Sequence, residues 1–557
     1  MNVHEISDRF VDDFAAAHPV LATVIGTDKH DAQLTDYSPE GHAAREALLR
    51  TALRDMSAAE PADDSERLAK AVFVERVGSE LEVHETGLQE AALNTIASPP
   101  QDVRMVFDLM PTATTRDWET IAARLTQVPA AFDGVRASLL AAAEKGRAPA
   151  LRQLTKVAEQ AEVWAGLSGG TGYFERFVDG AEAVGDLPES LRGDLRHAAQ
   201  RAQESYAELA GFLRAELAPE APSKDALGEE VYRPWSRYFL GADVDPREAY
   251  EWGWEEFSRV EREAKEVADR IKAGATIAEA AEVLDADQRY HVRGQGEFQE
   301  WMQRLSDDAL SALRGSHFEI SDEIMNLECR IAPPGGPVGA YYTGPNEDFS
   351  RPGRMWWSVP QGKDEFITWR EVSTVYHEGA PGHHLQIATA AAERSLNRFQ
   401  RILAMTSGHA EGWALYAERL MQDLGFLSDD GNLLGMLDAH LFRAARVIVD
   451  TGMHLELEIP RGTGFHEGER WTPELGLEFM LTRTITDADH VYDEIDRYLG
   501  WPGQAPAYKL GERLWLQARE ETRRRQGDAF DLKAFHTSAL RMGGMGLDTL
   551  RDQLAAS

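Results

Sequence analysis

The residues best suited to do chemistry lie together at positions 377–384, where the chain reads HEGAPGHH. Histidine nitrogens and carboxylate oxygens are usual ligands of catalytic zinc, and the motif H-E-x-x-H places two histidines on one face of a helix. In that motif the glutamate accepts a proton from the water that the metal activates. Three histidines and one glutamate within eight residues therefore predict a zinc site, with His377 as a ligand and Glu378 as the general base.

The spacing departs from H-E-x-x-H, because the fourth residue after His377 is Pro381. In a regular helix, residues seven positions apart are separated by about 10 Å along the axis, too far for two rings to reach one ion. Pro381 lacks an amide hydrogen and its ring collides with the carbonyl of His377, while Gly382 permits an unusual backbone. We therefore predict a bulge or kink that brings His383 to the second ligand position, with His384 as the alternative.

A third protein ligand is expected, because catalytic zinc usually takes three together with water. The segment 405–421, MTSGHAEGWALYAERLM, has a helical pattern and follows His383 at a distance that lets the chain turn and return beside it. Glu411 is the predicted ligand, because a buried carboxylate without a partner is costly and attracts a cation. His409 and Glu418 are alternatives, either as ligands or as groups that support a ligand.

Composition and charge exclude several classes of partner. The chain has 557 residues and a formal net charge of −36 at pH 7. Such an acidic surface repels nucleic acid phosphates and anionic lipids, so we expect neither as a partner. The single cysteine, Cys329, excludes an intramolecular disulfide and a metal site made of several cysteines. The first residues do not read as a secretory signal and no apolar stretch could span a bilayer, which predicts a cytoplasmic protein.

Helical patterns dominate the elements that must position the candidate site. Apolar residues recur at helical spacing in segments rich in alanine, leucine, glutamate and arginine. The predicted helices are 39–57, 64–90, 115–128, 188–218, 246–272, 296–314 and 368–391. Glycine, proline and aromatic residues fill 332–361, where strand-like pieces near 338–343 and 354–359 predict a small hairpin, with an irregular loop as the alternative.

These patterns predict a mainly α protein with two lobes in one continuous architecture, because no long flexible linker interrupts the chain. Residues 1–225 are predicted to form an N-terminal helical lobe. Residues 226–557 are predicted to form a second lobe that contains the metal site and the hairpin near 338–359.

Five segments, taken together, resemble a bacterial family labelled domain of unknown function 885. They are YHEGAPGHHLQ, AEGWALYAERL, VDTGMH, RYLGWPGQAPAYKLGE and AFHTSALRMGG, and the clear resemblance covers about residues 330–550. That family is similar to the glutamate-zinc peptidases, such as angiotensin-converting enzyme and the thermostable carboxypeptidases. The resemblance implies a helical, two-lobed fold with a deep cleft and a short sheet edge that pairs with the substrate backbone.

The same resemblance implies roles for individual residues. His377, His383 and Glu411 would hold the zinc ion, Glu378 would be the general base, and the hairpin near 338–359 would be the substrate edge. The candidate substrate-binding residues on this hairpin are Tyr341 and Tyr342. This sequence departs from the peptidases by two extra residues between the histidines, which leaves open whether His383 or His384 binds the metal.

A second informative stretch is 497–511, RYLGWPGQAPAYKLG, whose prolines and glycine fix a turn before a predicted helix start. Amide hydrolysis develops an oxyanion, which a tyrosine hydroxyl stabilises in a dry site. Tyr508 is the predicted donor. Weaker candidates for substrate binding are Arg497, Gln504, Lys509 and, in a separate segment, His454.

Together these residues predict zinc-dependent hydrolysis of short peptides or peptide-like small molecules, with one Zn²⁺ per chain. One alternative is a metal-dependent hydrolase of a non-peptide amide or a modified amino acid. Another is a non-catalytic metal-binding protein of the same fold. Glu378 argues against the last, because a purely structural site needs no unliganded base. The sequence leaves open the oligomeric state and the choice between amino-, carboxy- and endopeptidase action.

Overall fold

The computed structural model describes residues 1–185, 187–332, 339–346, 349–360 and 362–556. The chain forms two compact units, each assembled from three separate segments. Unit 1 comprises Met1–Glu60, Val77–Leu227 and Asp493–Trp501. Unit 2 comprises Pro61–Arg76, Gly228–Tyr492 and Pro502–Ser557. Two segments depart from a linear division at residue 225: residues 61–76 belong to unit 2, and residues 493–501 belong to unit 1.

Unit 1 is helical in its described residues. Its helices are α1 (Val3–Ala17), α2 (Pro19–Val24), α3 (Pro39–Ala58), α4 (Asp64–Thr86, from Val77 onward), α5 (Pro99–Asp108), α6 (Thr115–Leu125), α7 (Val128–Glu144), α8 (Leu151–Trp164), α9 (Tyr173–Asp179) and α10 (Glu189–Phe212). Helix α10 packs against α6, α7, α8 and α9 around a buried apolar core that includes Trp118, Phe132 and Tyr206.

Local sequence explains where several of these helices begin. Helix α3 begins at Pro39, and the side chain of Ser38 accepts a hydrogen bond from the backbone of Gly41. Helix α6 begins with a capping box, in which Thr114 and Asp117 each bond the other's backbone amide. These caps satisfy amides at helix ends that have no partner within the helix.

Unit 2 contains the remaining helices and all the strands of the described residues. Its helices are α11 (Glu229–Leu240), α12 (Pro246–Ile271), α13 (Ile277–Ala286), α14 (Gln295–Leu313), α15 (Val372–Glu378), α16 (His383–Ala392), α17 (Arg398–Ile402), α18 (Ser407–Asp423), α19 (Asp430–Leu455), α20 (Pro473–Arg483), α21 (Ala488–Gly500, up to Tyr492), α22 (Ala507–Gln526), α23 (Leu532–Arg541) and α24 (Leu547–Ala556). Helix α19 packs against α12, α15, α20 and α22, and most of its side chains are buried.

Two small sheets accompany these helices. The strands are β1 (His291–Arg293), β2 (Leu327–Ile331), β3 (Ala340–Thr343), β4 (Gly353–Trp357) and β5 (Glu365–Ile367). Strands β1 and β5 form an antiparallel pair, and the second sheet has the order β2-β4-β3. Strand β3 pairs antiparallel with β4, whereas β2 pairs parallel with β4. The predicted hairpin is therefore confirmed, although residue 338 lies outside the described residues and the parallel strand β2 was not predicted.

Helices α18 and α22 approach each other through glycines. A Cβ atom on Gly412 would overlap the backbone of Gly511, and one on Gly511 would overlap the backbone of Gly408. The absence of side chains at these positions lets the two backbones come close. This contact fixes α18, which contains Glu411 and Glu418, against α22.

The predicted helices other than 368–391 are confirmed as helical segments. Segments 39–57, 115–128 and 246–272 correspond to α3, α6 and α12. The mainly α fold class is likewise confirmed, with small sheets as its β component. None of the helices in the described part of the chain is long and apolar enough to cross a membrane.

Candidate metal centre

The predicted helix 368–391 is interrupted in the middle of the HEGAPGHH segment. Helix α15 ends at Glu378 and α16 begins at His383, and the Ala380–Pro381 peptide bond between them is cis. A Cβ atom on Gly382 would overlap the carbonyl of His377, so this tight turn requires glycine. The predicted distortion is therefore a complete break between two helices rather than a bulge within one.

Trp413 on α18 supports this break. Its indole nitrogen donates hydrogen bonds to the carbonyl oxygens of Pro381, at 2.8 Å, and Gly382, at 3.2 Å. These carbonyls lie outside regular helix and are buried, so they need such a donor. Across this break the rings of His377 and His383 lie edge to face, with centroids 4.8 Å apart and planes at 87°.

Glu411 on α18 completes a three-residue cluster. Its Oε2 lies 3.1 Å from Nε2 of His377 and 3.5 Å from Nε2 of His383. Ligands about 2.0–2.1 Å from a tetrahedral zinc ion lie roughly 3.3 Å from one another, so these two separations suit a shared ion. Among the described residues, these three side chains form the group of potential metal ligands whose nitrogen and oxygen atoms all lie within 4.8 Å of one another.

Glu418 lies seven residues after Glu411, on the same face of α18, and it hydrogen-bonds to His377. Its Oε1 accepts a hydrogen bond from Nδ1 of His377 at 2.8 Å, and its Oε2 accepts one from the hydroxyl of Ser373. A histidine that donates through Nδ1 keeps the lone pair of Nε2, which points toward Glu411, for a metal. Glu418 thus serves as a support for a ligand, the second of the two roles that its sequence position suggested.

The charges of this cluster favour a cation. Burial lowers the pKa of His377, but its hydrogen bonds to Glu411 and Glu418 raise it more, to about 10. Burial raises the pKa of Glu411, but His383 and His377 hold it well below its usual range. Two carboxylates on either side of one imidazole, the half-buried Glu411 and the buried Glu418, therefore stabilise positive charge between them, which a proton or a metal ion supplies.

Glu378 lies beside the cluster without being one of its convergent ligands. Its side chain is buried, and burial raises the pKa of its carboxyl group, opposed by the nearby His383 and His377. A raised pKa makes a carboxylate a better proton acceptor near neutral pH.

His384, the alternative ligand, is committed elsewhere. Its Nε2 donates to the carbonyl oxygen of Ile324 at 2.6 Å, so its Nδ1 is the acceptor for the hydroxyl of Tyr342 at 3.0 Å. Burial also lowers the pKa of His384 to about 4. With both ring nitrogens engaged, His384 connects α16 to strand β3, and His383 is the histidine that faces Glu411.

Two further predicted histidines lie outside the convergent cluster. His409 accepts a hydrogen bond from the Gln386 amide at 3.2 Å and packs on the ring of Trp515. Burial lowers the pKa of His409 to about 3, so it is a neutral interior residue. His454 is fully buried near the end of α19, with its ring 5.6 Å from that of Tyr232. The structure brings neither residue to the cluster.

The tyrosines predicted to touch substrate are held in different ways. Tyr341 stacks on Trp356 across the β3–β4 pair, with ring centroids 6.2 Å apart. Tyr508 is half-buried at the start of α22, and the guanidinium of Arg446 lies 4.9 Å from the centre of its ring. Gln504 is buried in the turn before α22, where its carbonyl accepts from the backbone of Ala507.

The two predicted basic residues belong to interior ion pairs. Arg497 lies in unit 1, where it donates to Glu494 at 2.5 Å. Lys509 has no exposed side-chain surface, and its ammonium contacts Glu256 at 3.0 Å, His440 at 2.8 Å and Glu512. An ammonium has three donors, so these three partners leave none for a substrate. The structure thus places Lys509 in a buried network rather than at a substrate surface.

Sequence reasoning missed four residues: Ser373 and His440, which lie beside Glu418, and Glu512 and Glu256, which contact Lys509. Ser373 precedes His377 by four residues and therefore lies on the same face of α15, a spacing that could have identified it. Lys509 and Glu512 have the i, i+3 spacing of a helical ion pair. His440 lies within a long apolar helix, and nothing in its local pattern distinguishes it.

These features define a class of protein: a mainly helical chain in which two histidines and a glutamate converge at a break between two helices. The chain belongs to the family of bacterial proteins of unknown function termed DUF885, which matches residues 19–554. The resemblance drawn from the five sequence motifs is therefore confirmed, and it extends over nearly the whole chain. No curated protein matches the chain significantly.

Solved structures show the same fold. A protein from Colwellia psychrerythraea, provisionally named a lipoprotein, is 24% identical with a TM-score of 0.84, over 100% of this chain and 98% of its own. A Shewanella oneidensis protein of unknown function, also provisionally named a lipoprotein, is 17% identical with a TM-score of 0.75, over 100% of both chains. A third structure, of a Bacillus anthracis protein provisionally named an oligoendopeptidase F, is 12% identical over 93% of this chain and 92% of its own, and its TM-score of 0.35 carries no argument about fold.

Proposed function

We propose that this protein is a zinc-dependent hydrolase that cleaves amide bonds in short peptides or peptide-like molecules. The observation that carries the proposal is the convergence of His377, His383 and Glu411. Oε2 of Glu411 lies 3.1 Å and 3.5 Å from the two Nε2 atoms, separations that suit ligands of one tetrahedral ion, and the three ligand atoms lie within 4.8 Å of one another. Three protein ligands leave a position for water, as in catalytic rather than structural zinc sites.

The set of donor atoms fits zinc better than it fits calcium or magnesium. Two imidazoles and one carboxylate are borderline ligands that suit zinc, whereas calcium and magnesium prefer oxygen alone. When bound, the metal would polarise the scissile carbonyl and lower the pKa of water at the site. Nε2 of His377 is directed inward by Glu418 on Nδ1, an arrangement typical of metal-binding histidines.

Glu378 supplies the base in this proposal. It follows His377 directly in sequence, so on α15 its side chain is rotated by about 100° from that of the ligand. Its buried carboxylate accepts a proton from the attacking water and passes it to the leaving amine. The raised pKa of Glu378 supports this role, because the group must hold the proton briefly between the two steps.

Tyr508 supplies a donor to the developing oxyanion. Its ring is held by the guanidinium of Arg446, which lies 4.9 Å from the ring centre. A phenol hydroxyl fixed in a half-buried position is a suitable hydrogen-bond donor for charge that develops in the transition state.

Strand β3 supplies the surface for an extended substrate. The order β2-β4-β3 leaves β3 at the edge of its sheet, and its residues are half-buried. An edge strand can pair with the backbone of an added peptide strand. The hydrogen bond from Tyr342 to His384 connects this edge directly to α16, where the ligand His383 lies.

Metal analysis and a peptide-library digest test the proposal. The purified protein, dialysed against zinc, is expected to hold about one Zn²⁺ per chain and to cleave members of the library, with products identified by mass spectrometry. Protein that holds no transition metal after this treatment would contradict the proposed centre, and zinc-loaded protein that cleaves no member would contradict the proposed activity.

Glu378→Gln separates the base from the ligands. The amide keeps the size of the side chain but accepts no proton, so turnover is expected to fall by roughly 10²–10⁴-fold or more while zinc is retained. Paired measurements of zinc content and turnover distinguish the outcomes. Loss of zinc together with activity makes Glu378 a ligand, and full turnover removes it from the mechanism. Glu371→Gln, at the start of the same helix, is the matched control.

A further inference from the structure

A series of buried polar groups runs from the candidate metal centre into the interior of unit 2. Its inner end is Lys509 on α22, with a fully buried ammonium that contacts Glu256 on α12, Glu512 on α22 and Nδ1 of His440 on α19. Nε2 of His440 lies 3.5 Å from Oε2 of Glu418, the carboxylate that binds His377. The proposed mechanism uses His377 and Glu418 but gives no role to Lys509 or His440.

This series has a direction that its chemistry dictates. An ammonium donates hydrogen bonds and accepts none, so Nδ1 of His440 must accept from Lys509 at 2.8 Å. A neutral imidazole that accepts at Nδ1 holds its proton on Nε2. Oε2 of Glu418 lies 3.5 Å from this Nε2, too far for a formed hydrogen bond. Nε2–H is thus a buried donor that has no hydrogen-bond partner among the described residues and lies beside the carboxylate of Glu418.

The same direction continues to the candidate ligand. Glu418 is an acceptor only, and it lies between two imidazoles, His440 on one side and His377 on the other. His377 therefore donates from Nδ1 to Glu418 and leaves the lone pair of Nε2 for a metal. A proton on Nε2 of His377 instead would block metal binding at that nitrogen.

We propose that Lys509 and His440 are positioning residues that, through Glu418, hold His377 in the tautomer and orientation required to bind Zn²⁺. The proposal rests on the zinc centre of the proposed function and adds two residues to it, neither of which touches the metal or the substrate. Lys509, which sequence reasoning assigned to substrate binding, acts on His377 indirectly, through His440 and then Glu418.

The electrostatic surroundings of His440 agree with this role. Burial and the charge of Lys509 lower the pKa of His440 to about 4, so the ring is neutral at pH 7 and has one acceptor and one donor. Burial raises the pKa of Glu512, but nearby positive charge, above all that of Lys509, lowers it below its usual value. Glu256 has a further partner in Arg259, at 2.7 Å.

A purely structural network is the competing explanation, because buried ion pairs also hold helices together. A comparison of the variants His440→Gln and His440→Met distinguishes the positioning role from a purely structural role. A glutamine amide has an acceptor for Lys509 and a donor for Glu418, whereas methionine has a similar length and no donor. If direction of hydrogen bonding matters, glutamine preserves the function and methionine does not.

The readout is the dissociation constant for Zn²⁺ alone, measured at pH 7 by competition with a fluorescent chelator. We expect His440→Met to bind Zn²⁺ roughly 10–100-fold more weakly than the unchanged protein, and His440→Gln to stay within about threefold. Equal affinities for the two variants overturn the proposal, whether both are normal or both are weakened, because a structural role does not distinguish the amide from the thioether in this way.

A second pair tests Lys509 directly. Lys509→Met alone would leave Glu512 buried without its main partner, so Glu512→Gln is combined with it, while Glu256 keeps Arg259. The double variant is expected to bind Zn²⁺ roughly 10–100-fold more weakly. Arg513→Met, which removes another ion-paired cation of α22 at its contact with Glu248, is the matched control and should bind normally.

The outcomes separate this proposal from the function on which it rests. If the unchanged protein binds no Zn²⁺, the zinc centre itself is refuted. If the unchanged protein and the double variant bind Zn²⁺ equally well, only the role of Lys509 and His440 is refuted. Circular dichroism of each variant verifies the fold, and if His440→Met does not fold, the double variant decides the question.

Discussion

Two groups of buried histidines in this protein have opposite electrostatics, although helices position both. In unit 1, burial and the charge of Arg45 lower the pKa of His42 to about 3. The pKa values of His18 and His84 are lowered too, with burial again the largest cause. These rings interact with one another and with a guanidinium, so the group disfavours any further positive charge.

The candidate metal centre of unit 2 is the reverse case. Burial lowers the pKa of His377 here as well, but Glu411 and Glu418 raise it to about 10. The number of histidines is thus a poor guide to metal binding in this chain. The carboxylates that accompany the rings decide whether a buried group attracts a cation or remains a neutral part of the core.

The largest expected effect comes from removing the carboxylate that distinguishes the two groups. Glu411→Gln removes a predicted ligand and its negative charge. The affinity for Zn²⁺ should therefore fall by more than roughly 100-fold, the upper end of the loss expected when a residue that only hydrogen-bonds to a ligand is removed. Chelator competition measures the change. Glu80→Gln, beside His84 in unit 1, is the matched control with no expected effect on zinc. Normal zinc affinity in Glu411→Gln would remove the carboxylate from the centre.

A second test sharpens the contrast within the HEGAPGHH segment. His383→Ala should abolish tight zinc binding, because its Nε2 faces Glu411. His384→Ala should keep zinc but lose stability by about 1–3 kcal/mol, because Tyr342 and Ile324 lose a buried hydrogen-bonding partner. Zinc titrations and thermal melts of both variants check this difference. Equal losses of zinc from the two variants would contradict the assignment of His383.

The smallest expected effect concerns acid stability in unit 1. A folded-state pKa of about 3 for His42, against about 6.5 in the unfolded chain, means that the unfolded state binds protons first as the pH falls. Stability is then complete above pH 6.5 and decreases below it, by about 2 kcal/mol at pH 5 for this residue. His42→Gln should lose this dependence.

Hydrogen exchange of peptides from α3, at pH 7.5 and pH 5 with correction for the intrinsic rate, measures that effect. At each pH, the opening free energy of α3 in the unchanged protein is subtracted from that in His42→Gln. This difference should increase by about 2 kcal/mol from pH 7.5 to pH 5, because only the unchanged protein loses stability through His42. His197→Gln, at an exposed position of α10, is the control. An identical pH response in the unchanged protein and His42→Gln would contradict the interpretation of this residue.

Local sequence predicted most of the secondary structure. The predicted segment 39–57 begins at Pro39, where α3 begins, and the Gly-, Pro- and aromatic-rich stretch identifies the hairpin of β3 and β4. The parallel partner β2 was missed, because a strand of five residues has no local signal for the strand that it pairs with. The exchange of segments 61–76 and 493–501 between units was missed for the same reason, since periodicity defines a buried face without defining its partner.

The candidate site was predictable where residue type and spacing limit the possibilities. Pro381 after His377 required a distortion, and the structure brings His377, His383 and Glu411 together around it. Lys509 shows the limit of this reasoning. A lysine at a helix start looks the same in sequence whether its ammonium meets a substrate or three interior partners, because those partners come from α12, α19 and its own helix.

The interleaving of the two units has a consequence for biosynthesis. A chain that leaves the ribosome from its N-terminus usually folds one domain after another. Here unit 1 lacks Asp493–Trp501 and unit 2 lacks everything from Pro502 onward until almost the whole protein has been translated. Until α22 emerges, Glu256 and His440 have no Lys509 beside them. We therefore expect neither unit to be complete until synthesis of the chain is almost finished.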